Sequence, residues 1–179
     1  MSNGSSGGII QNGITRALKD RIVRSHKEKK PFKVYIFIPL MPGFEGDILE
    51  DGSQVLMLQI KFQLDTIVKG NTSLYQLLMR DKIQPTDYVS FFALRNSTMF
   101  KDTAKTEMIY IHSKLLIVDD KYTVCGSANI NDRSMLGTRD SEVCILIEDE
   151  EKIEVTLGGK KCMVGKLNHE FRKRLMSGK

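Results

Sequence analysis

The chain of 179 residues has few cysteines, no long apolar segment and no recognisable export signal. Its three cysteines, Cys125, Cys144 and Cys162, are widely spaced and lack the spacing of zinc ligands, so we predict reduced core thiols and a reducing compartment. No run approaches the roughly 20 apolar residues of a membrane-spanning helix. Residues 1–8 are rich in glycine and serine and lack the basic and apolar parts of a signal peptide, which favours a flexible leader or an expression remnant.

The net charge of +5 conceals an uneven distribution along the chain. Residues 13–33 carry eight lysines and arginines against two acids, residues 158–179 carry seven against one, and the remainder has a net charge of −7. Basic ends around an acidic middle indicate either a phosphate-bearing partner, lipid or nucleic acid, or simply solvated helix faces.

Helical and strand-like segments alternate along the chain. Ile14, Leu18, Ile22 and Val23 recur at helical spacing and predict an amphipathic helix that ends near the Lys30-Pro31 stop. The remaining pattern predicts strands at 32–39, 88–94, 109–111, 115–118, 122–125 and 142–147. It predicts two helices within 54–80, broken at 70–72, and a basic helix at 162–176. The connecting segments are a loop at 39–46, a polar irregular stretch at 95–107, a tight turn at 119–121 and an acidic surface run at 148–154. We therefore expect an α/β fold, with one domain over residues 9–179.

The densest cluster of chemically active side chains lies between residues 112 and 129. His112 and Lys114 are two residues apart, so they would point to one face of a strand, and Ser127 and Asn129 follow the close-approach residue Gly126. A histidine can act as a nucleophile or general acid near neutral pH, and a lysine stabilises charge on a nonbridging phosphate oxygen. The set therefore favours chemistry at a phosphoester.

Two carboxylates accompany this cluster. Asp119 lies five residues after Lys114 and would face the opposite way in a straight strand, so it suits a turn carboxylate that binds backbone amides better than a proton donor. Glu142 is the better candidate for holding a histidine ring, since a carboxylate that accepts the far N–H fixes the tautomer and stabilises the imidazolium. The four side chains and the two acids together form the candidate site.

The spacing of His112, Lys114 and Asp119, followed by Gly126-Ser127-Ala128-Asn129, resembles the HKD signature of the phospholipase D superfamily. The flanking residues 109–117, 130–137 and 139–142 resemble the second HKD region of the eukaryotic enzymes, and residues 38–46 resemble the same enzymes upstream. The likeness covers residues 9–150 well and the basic C-terminal segment loosely.

This resemblance implies a fold and a mechanism. The fold would be a mixed β-sheet flanked by helices, a half-domain sandwich of the phospholipase D and nuclease type. The resemblance implies that His112 is a catalytic acid and that Lys114, Ser127 and Asn129 bind the phosphate oxygens. It also implies that Asp119 belongs to the catalytic motif and that Glu142 orients a histidine. It implies a phosphohistidine intermediate and no metal or other cofactor. The substrate would be a phosphatidylcholine-type phospholipid at a cytoplasmic membrane surface.

The motif occurs once in this chain, whereas in that family two copies meet to make one active site. His26 and His169 are not followed by the pattern and cannot replace the missing copy. The sequence therefore predicts the C-terminal half of a larger phospholipase D, whose N-terminal HKD half is its partner and covers apolar surface on this half. Two alternatives stay open: a one-motif homodimeric phosphodiesterase or nuclease, with nucleic acid the less favoured partner, and a non-catalytic half-domain.

Overall fold

The computed structural model describes residues 10–41, 43, 53–157 and 159–177. The predicted leader at 1–8 and part of the predicted loop at 39–46 lie outside these residues. The elements run in the order α1 (Ile14–Glu28), β1 (Val34–Phe37), α2 (Gln54–Leu64) with a π-helical continuation (Asp65–Lys69), α3 (Leu74–Arg80), α4 (Pro85–Tyr88), β2 (Val89–Phe92), β3 (Leu94–Phe100), β4 (Thr103–Ile109), β5 (Lys114–Val118), β6 (Tyr122–Gly126), α5 (Asp132–Met135), β7 (Cys144–Glu148), β8 (Lys152–Leu157), β9 (Lys160–Gly165) and α6 (Lys166–Ser177).

A five-stranded mixed sheet organises the fold, with strand order β2-β1-β5-β6-β7. Strands β1 and β2 are parallel, while β5, β6 and β7 continue the sheet as an antiparallel meander. The pairs β3-β4 and β8-β9 form separate two-stranded hairpins. This arrangement confirms the predicted α/β class with a mixed sheet.

Helices cover both faces of the sheet. Ile22 of α1 and Leu74 and Leu78 of α3 are buried against Val34 and Ile36 of β1. The opposite face presents Phe37, Leu115 and Ile117, against which Leu175 of α6 packs. Burial of large aliphatic side chains of this kind contributes about 1.5–3 kcal/mol each, so these two clusters hold the layers together.

Helix α6 is fixed to the sheet by a buried ionic cluster. The guanidinium of Arg172 donates two hydrogen bonds to the carboxylate of Asp120, at 2.6 and 2.7 Å, and also lies over the ring of Tyr35. His169 contacts the same carboxylate through Nδ1 at 2.7 Å. Since the Asp120 side chain is fully buried, this cluster joins the β5-β6 turn to α6.

Two predicted segments were wrong. The stretch 95–107, predicted as irregular, belongs to the β3-β4 hairpin, whose strands are exposed on both faces and so lack the apolar alternation that marks a half-buried strand. The predicted basic helix at 162–176 begins only at Lys166, because residues 160–165 pair with β8.

Smaller corrections concern the segment before the motif and the cysteines. Residues 110–113 form no strand, so the predicted strand at 109–111 contributes only Ile109, the last residue of β4. Cys144 is exposed on β7, while Cys125 and Cys162 are half-buried, so the three free thiols are not all core residues as predicted. Among the described helices, none combines the length and apolar character needed to cross a membrane.

Candidate active site

The β5-β6 hairpin brings the two parts of the motif together. Lys114 pairs with Gly126, and the chain reverses at Asp119 and Asp120, whose φ angles are 54° and 51°. This confirms the predicted tight turn at 119–121. Because a hairpin returns to the level at which it started, the residues flanking its open end, 112–114 and 126–129, meet at one end of the sheet, which we call the site end.

Gly126 allows a close approach that no other residue would permit. A Cβ atom at this position would lie 2.4 Å from the carbonyl oxygen of Val143 and 2.7 Å from Cα of Cys144. The close approach lets the backbone N–H of Ser127 donate to the same carbonyl at 3.0 Å. The glycine therefore sets the position of Ser127 against the segment that carries Glu142.

Glu142 is the centre of a hydrogen-bond network beside the motif. Its two carboxylate oxygens accept hydrogen bonds from the hydroxyls of Ser127 at 2.5 Å and Ser134 at 2.6 Å. The Ser127 hydroxyl accepts from the N–H of Val143 at 3.1 Å, and the Ser134 hydroxyl accepts from the N–H of Asn129 at 3.2 Å. The network thus fixes the backbone on both sides of Ala128.

The ionised form of Glu142 is favoured in this network. The hydrogen bond from Ser127 lowers the pKa of Glu142, and the bond from Ser134 acts in the same direction. The charge of Lys114 also favours the ionised form. Burial lowers the pKa of Lys114, and the negative charge of Glu142 opposes that shift. The two side chains are therefore electrostatically coupled, although Glu142 was predicted to orient a histidine.

His112 is exposed at the site end, just before β5. Its ring lies edge-on to the ring of Tyr110, with centroids 6.4 Å apart. Within the described residues, the Glu142 carboxylate bonds the two serines and is not brought onto the ring of His112. Orientation of a histidine by Glu142 stays a prediction.

Asp119 lies at the opposite end of the sheet, which we call the turn end. Ser113 and the five residues of β5 separate it from His112, and β5 alone spans about 16 Å at ~3.3 Å per residue. Its carboxylate accepts a hydrogen bond from the backbone N–H of Lys33 at 2.6 Å, and its own N–H donates to the carbonyl of Lys33 at 2.8 Å. The predicted turn role agrees with these contacts, and the predicted membership of the catalytic set stays a prediction.

The contacts that support the loop after Asn129 were not predicted from the sequence. The carboxylate of Asp132 accepts hydrogen bonds from the N–H groups of Gln11 and Asn12 and from the side-chain amide of Asn12. Arg133 donates two hydrogen bonds to Asp140, at 2.9 and 3.0 Å. Residues 130–142 were part of the resemblance, but nothing local in the sequence shows that the start of α1 holds this loop.

Basic residues from both ends of the chain line a cleft at the turn end, away from the motif. The cleft of about 890 Å³ is lined by residues from both basic segments together with the β5-β6 turn. Its histidine, lysine and aspartate lining consists of His26, Lys29, Lys30, Lys33, Asp87, Asp119, Asp120, Lys121 and Lys160. Three carboxylates among these cations offset part of the positive charge, and a phosphate-bearing partner for the basic ends stays a prediction.

A family model described as phospholipase D matches residues 5–175. The chain belongs to the phospholipase D family. It is 43% identical over 173 residues to phospholipase D1 of Saccharomyces cerevisiae, covering 96% of this chain and 10% of that protein. It is 44% identical to phospholipase D zeta 2 of Arabidopsis thaliana over 173 residues, covering 94% of this chain and 16% of that protein. Human phospholipase D1 is 41% identical over 165 residues, or 92% of this chain and 15% of that protein.

The chain thus spans between a tenth and a sixth of the length of these phospholipases D. It also presents apolar side chains at its open sheet edge, on and beside β7. Val143, Ile145 and Leu146 are 77%, 64% and 63% exposed. Side chains of this kind are normally covered in a folded protein, so the edge is suited to a partner.

Proposed function

We propose that this chain supplies one of the two half-sites of a phospholipase D that hydrolyses phosphatidylcholine-type phospholipids to phosphatidic acid and the free head group. The main support is the convergence of His112, Lys114, Ser127 and Asn129 at the site end of a chain that belongs to this family. The remaining part of the same enzyme, with the other HKD motif, is the proposed partner.

In the first step, the imidazole of the other half-site attacks phosphorus and the bond from phosphorus to the head-group oxygen breaks. His112 donates a proton to that oxygen, so the head group leaves as a neutral alcohol. Lys114 and the side-chain amide of Asn129 stabilise the nonbridging oxygens, which gain negative charge. The product of this step is a phosphohistidine on the partner half.

In the second step, His112 acts as a base. It takes a proton from water, whose oxygen attacks phosphorus while the bond from phosphorus to the partner's imidazole breaks. A primary alcohol in place of water gives a phosphatidyl alcohol, which is transphosphatidylation. Ser127 supports the phosphate site, and the network around Glu142 holds Ser127 and Asn129 in place. No step in this scheme requires a cofactor.

The proposed location is the cytoplasm, peripherally on membranes that contain the substrate. The support is indirect: the three cysteines are free in the structure, and a phospholipid substrate must be reached at a bilayer surface.

The test is a complementation assay. A verified monomer of this chain should show little release of head group from phosphatidylcholine vesicles, because it holds one of two required histidines. Addition of the N-terminal half should restore release, and His112→Asn should abolish it. His26→Asn serves as the matched control, because His26 is an exposed histidine that contacts Tyr88 in another part of the fold.

The outcomes separate the competing functions. Robust transphosphatidylation by the monomer would refute the half-site proposal. Hydrolysis of DNA or of a simple phosphodiester by a homodimer, without hydrolysis of phosphatidylcholine, would favour the one-motif nuclease. Complementation that His112→Asn leaves intact would mean that this half serves only as a structural or binding module.

A further inference from the structure

The β3-β4 hairpin begins and ends beside the candidate active site. Strand β2 ends at Phe92 at the site end, because it runs parallel to β1, and β3 starts two residues later. Strand β4 ends at Ile109, three residues before His112. Both strands of the hairpin therefore leave from and return to the end of the sheet where the motif lies.

The hairpin makes no extensive contact with any other described helix or strand. Every residue from 95 to 110 is exposed. A two-stranded hairpin of this kind is only marginally stable by itself in water. Its seven-residue strands give it a reach of about 23 Å, so its tip stands well away from the residues at its base.

The tip of the hairpin is apolar with a cation next to it. Met99 and Phe100 are 67% and 59% exposed, and the ammonium of Lys101 lies 5.5 Å from the centre of the Phe100 ring. Lys101 and Asp102 form the tight turn, with φ angles of 45° and 59°. An exposed aromatic ring, a methionine and a lysine suit the boundary between lipid head groups and acyl chains, where the apolar part is buried and the ammonium meets phosphate.

We propose that the tip of the β3-β4 hairpin docks into the interface of the phospholipid bilayer and so holds the site end against the membrane. This inference rests on the proposed function, because the bilayer that carries the substrate must lie at the site end to reach His112. The exposed Met108, Ile109 and Tyr110 continue the apolar surface from the hairpin base toward His112.

The chain contains no tryptophan, so a single introduced tryptophan reports on its own surroundings. Phe100→Trp places this probe at the tip, and Tyr122→Trp places it on an exposed strand residue at the turn end. The membranes are vesicles of phosphatidylcholine and phosphatidylserine in about a 4:1 ratio, which approximates the anionic cytoplasmic leaflet. We expect a blue shift of emission and quenching by brominated lipid for Phe100→Trp and neither for Tyr122→Trp. Equal shifts at both positions, or none at Phe100→Trp, would overturn the proposal.

Vesicle sedimentation provides a second measurement. The double variant Met99→Ser/Phe100→Ser should lower the vesicle partition coefficient at least about tenfold, since burial of even one such side chain is worth about that factor. The matched control is Met57→Ser/Phe62→Ser on α2, where the same residue types are 55% and 57% exposed. An equal loss in both double variants would mean general surface stickiness and would contradict a docking tip.

Two further measurements distinguish membrane docking from the proposed catalytic function and from a contact between the two halves of the enzyme. The Phe100→Trp probe in a His112→Asn background should still respond to vesicles, so a failure of catalysis leaves the docking result readable. A response of the probe to the soluble N-terminal half, with no response to vesicles, would show that the hairpin is a contact between the two halves and would overturn membrane docking.

Discussion

Asp119 shows how a residue of the motif can stabilise the fold. It bonds the backbone of Lys33 in both directions and occupies the left-handed region, which asparagine tolerates better than alanine. We expect Asp119→Ala to lower the free energy of unfolding by about 1–2 kcal/mol and Asp119→Asn to lower it much less. Urea denaturation measures both. Tungstate is an oxyanion that resembles phosphate and can be used to measure binding at the site end. If Asp119→Asn lost as much tungstate binding as Lys114→Ala, this structural role would be contradicted.

Glu142 couples the stability of the site loop to pH. Its pKa is lowered in the folded chain by the hydrogen bonds from Ser127 and Ser134, so its contribution is present above the ordinary pKa of glutamate and is lost as pH falls through the lowered value. We expect Glu142→Gln to reduce the thermal midpoint at pH 7, and the gap to wild type to shrink as pH falls through the lowered pKa of Glu142. Glu150→Gln, on an exposed residue, should show no such convergence.

At the scale of elements, the position of α6 depends on the buried pair of Asp120 and Arg172. Removal of one partner leaves an uncompensated buried charge, which costs about 3–5 kcal/mol. We therefore expect Arg172→Leu to destabilise the chain by that amount in urea denaturation, and the double variant Asp120→Asn/Arg172→Leu to recover part of it. Arg174→Leu on the exposed side of the same helix is the control. If the double variant were as unstable as the single one, the charge pair would not be the cause.

Local signals explain which elements the sequence could predict. The β5-β6 hairpin was predictable because its strands are apolar and its turn is formed by Asp119 and Asp120. The β3-β4 hairpin was missed because its strands are polar on both faces, and the start of α6 was misplaced because β9 is as basic as the helix. The support of the site loop by Asn12 and Asp132 joins residues 120 positions apart, and no local pattern encodes such a contact.

At the scale of the whole molecule, β7 forms an edge of the five-stranded sheet that exposes apolar side chains. An open edge strand with apolar side chains on both faces pairs readily with another chain. We expect the isolated chain to associate with increasing concentration in sedimentation velocity, and Leu146→Lys to suppress this. The control is Leu58→Lys on α2, where the leucine is 48% exposed, and it should not suppress the association. Equal suppression by both would show that the edge has no special role.

The order of the strands along the chain also has a consequence for folding. Strands β5, β6 and β7 are neighbours in sequence as well as in the sheet, so this meander, which carries the HKD motif, forms across connections of only 3 and 17 residues. Strand β1 can pair only after β2 and β5 have reached it, and these strands lie more than 50 and more than 75 residues further along the chain. Because contacts between distant residues slow folding, we expect the site hairpin to form early and the closure of β1 between its two partners to limit the folding rate.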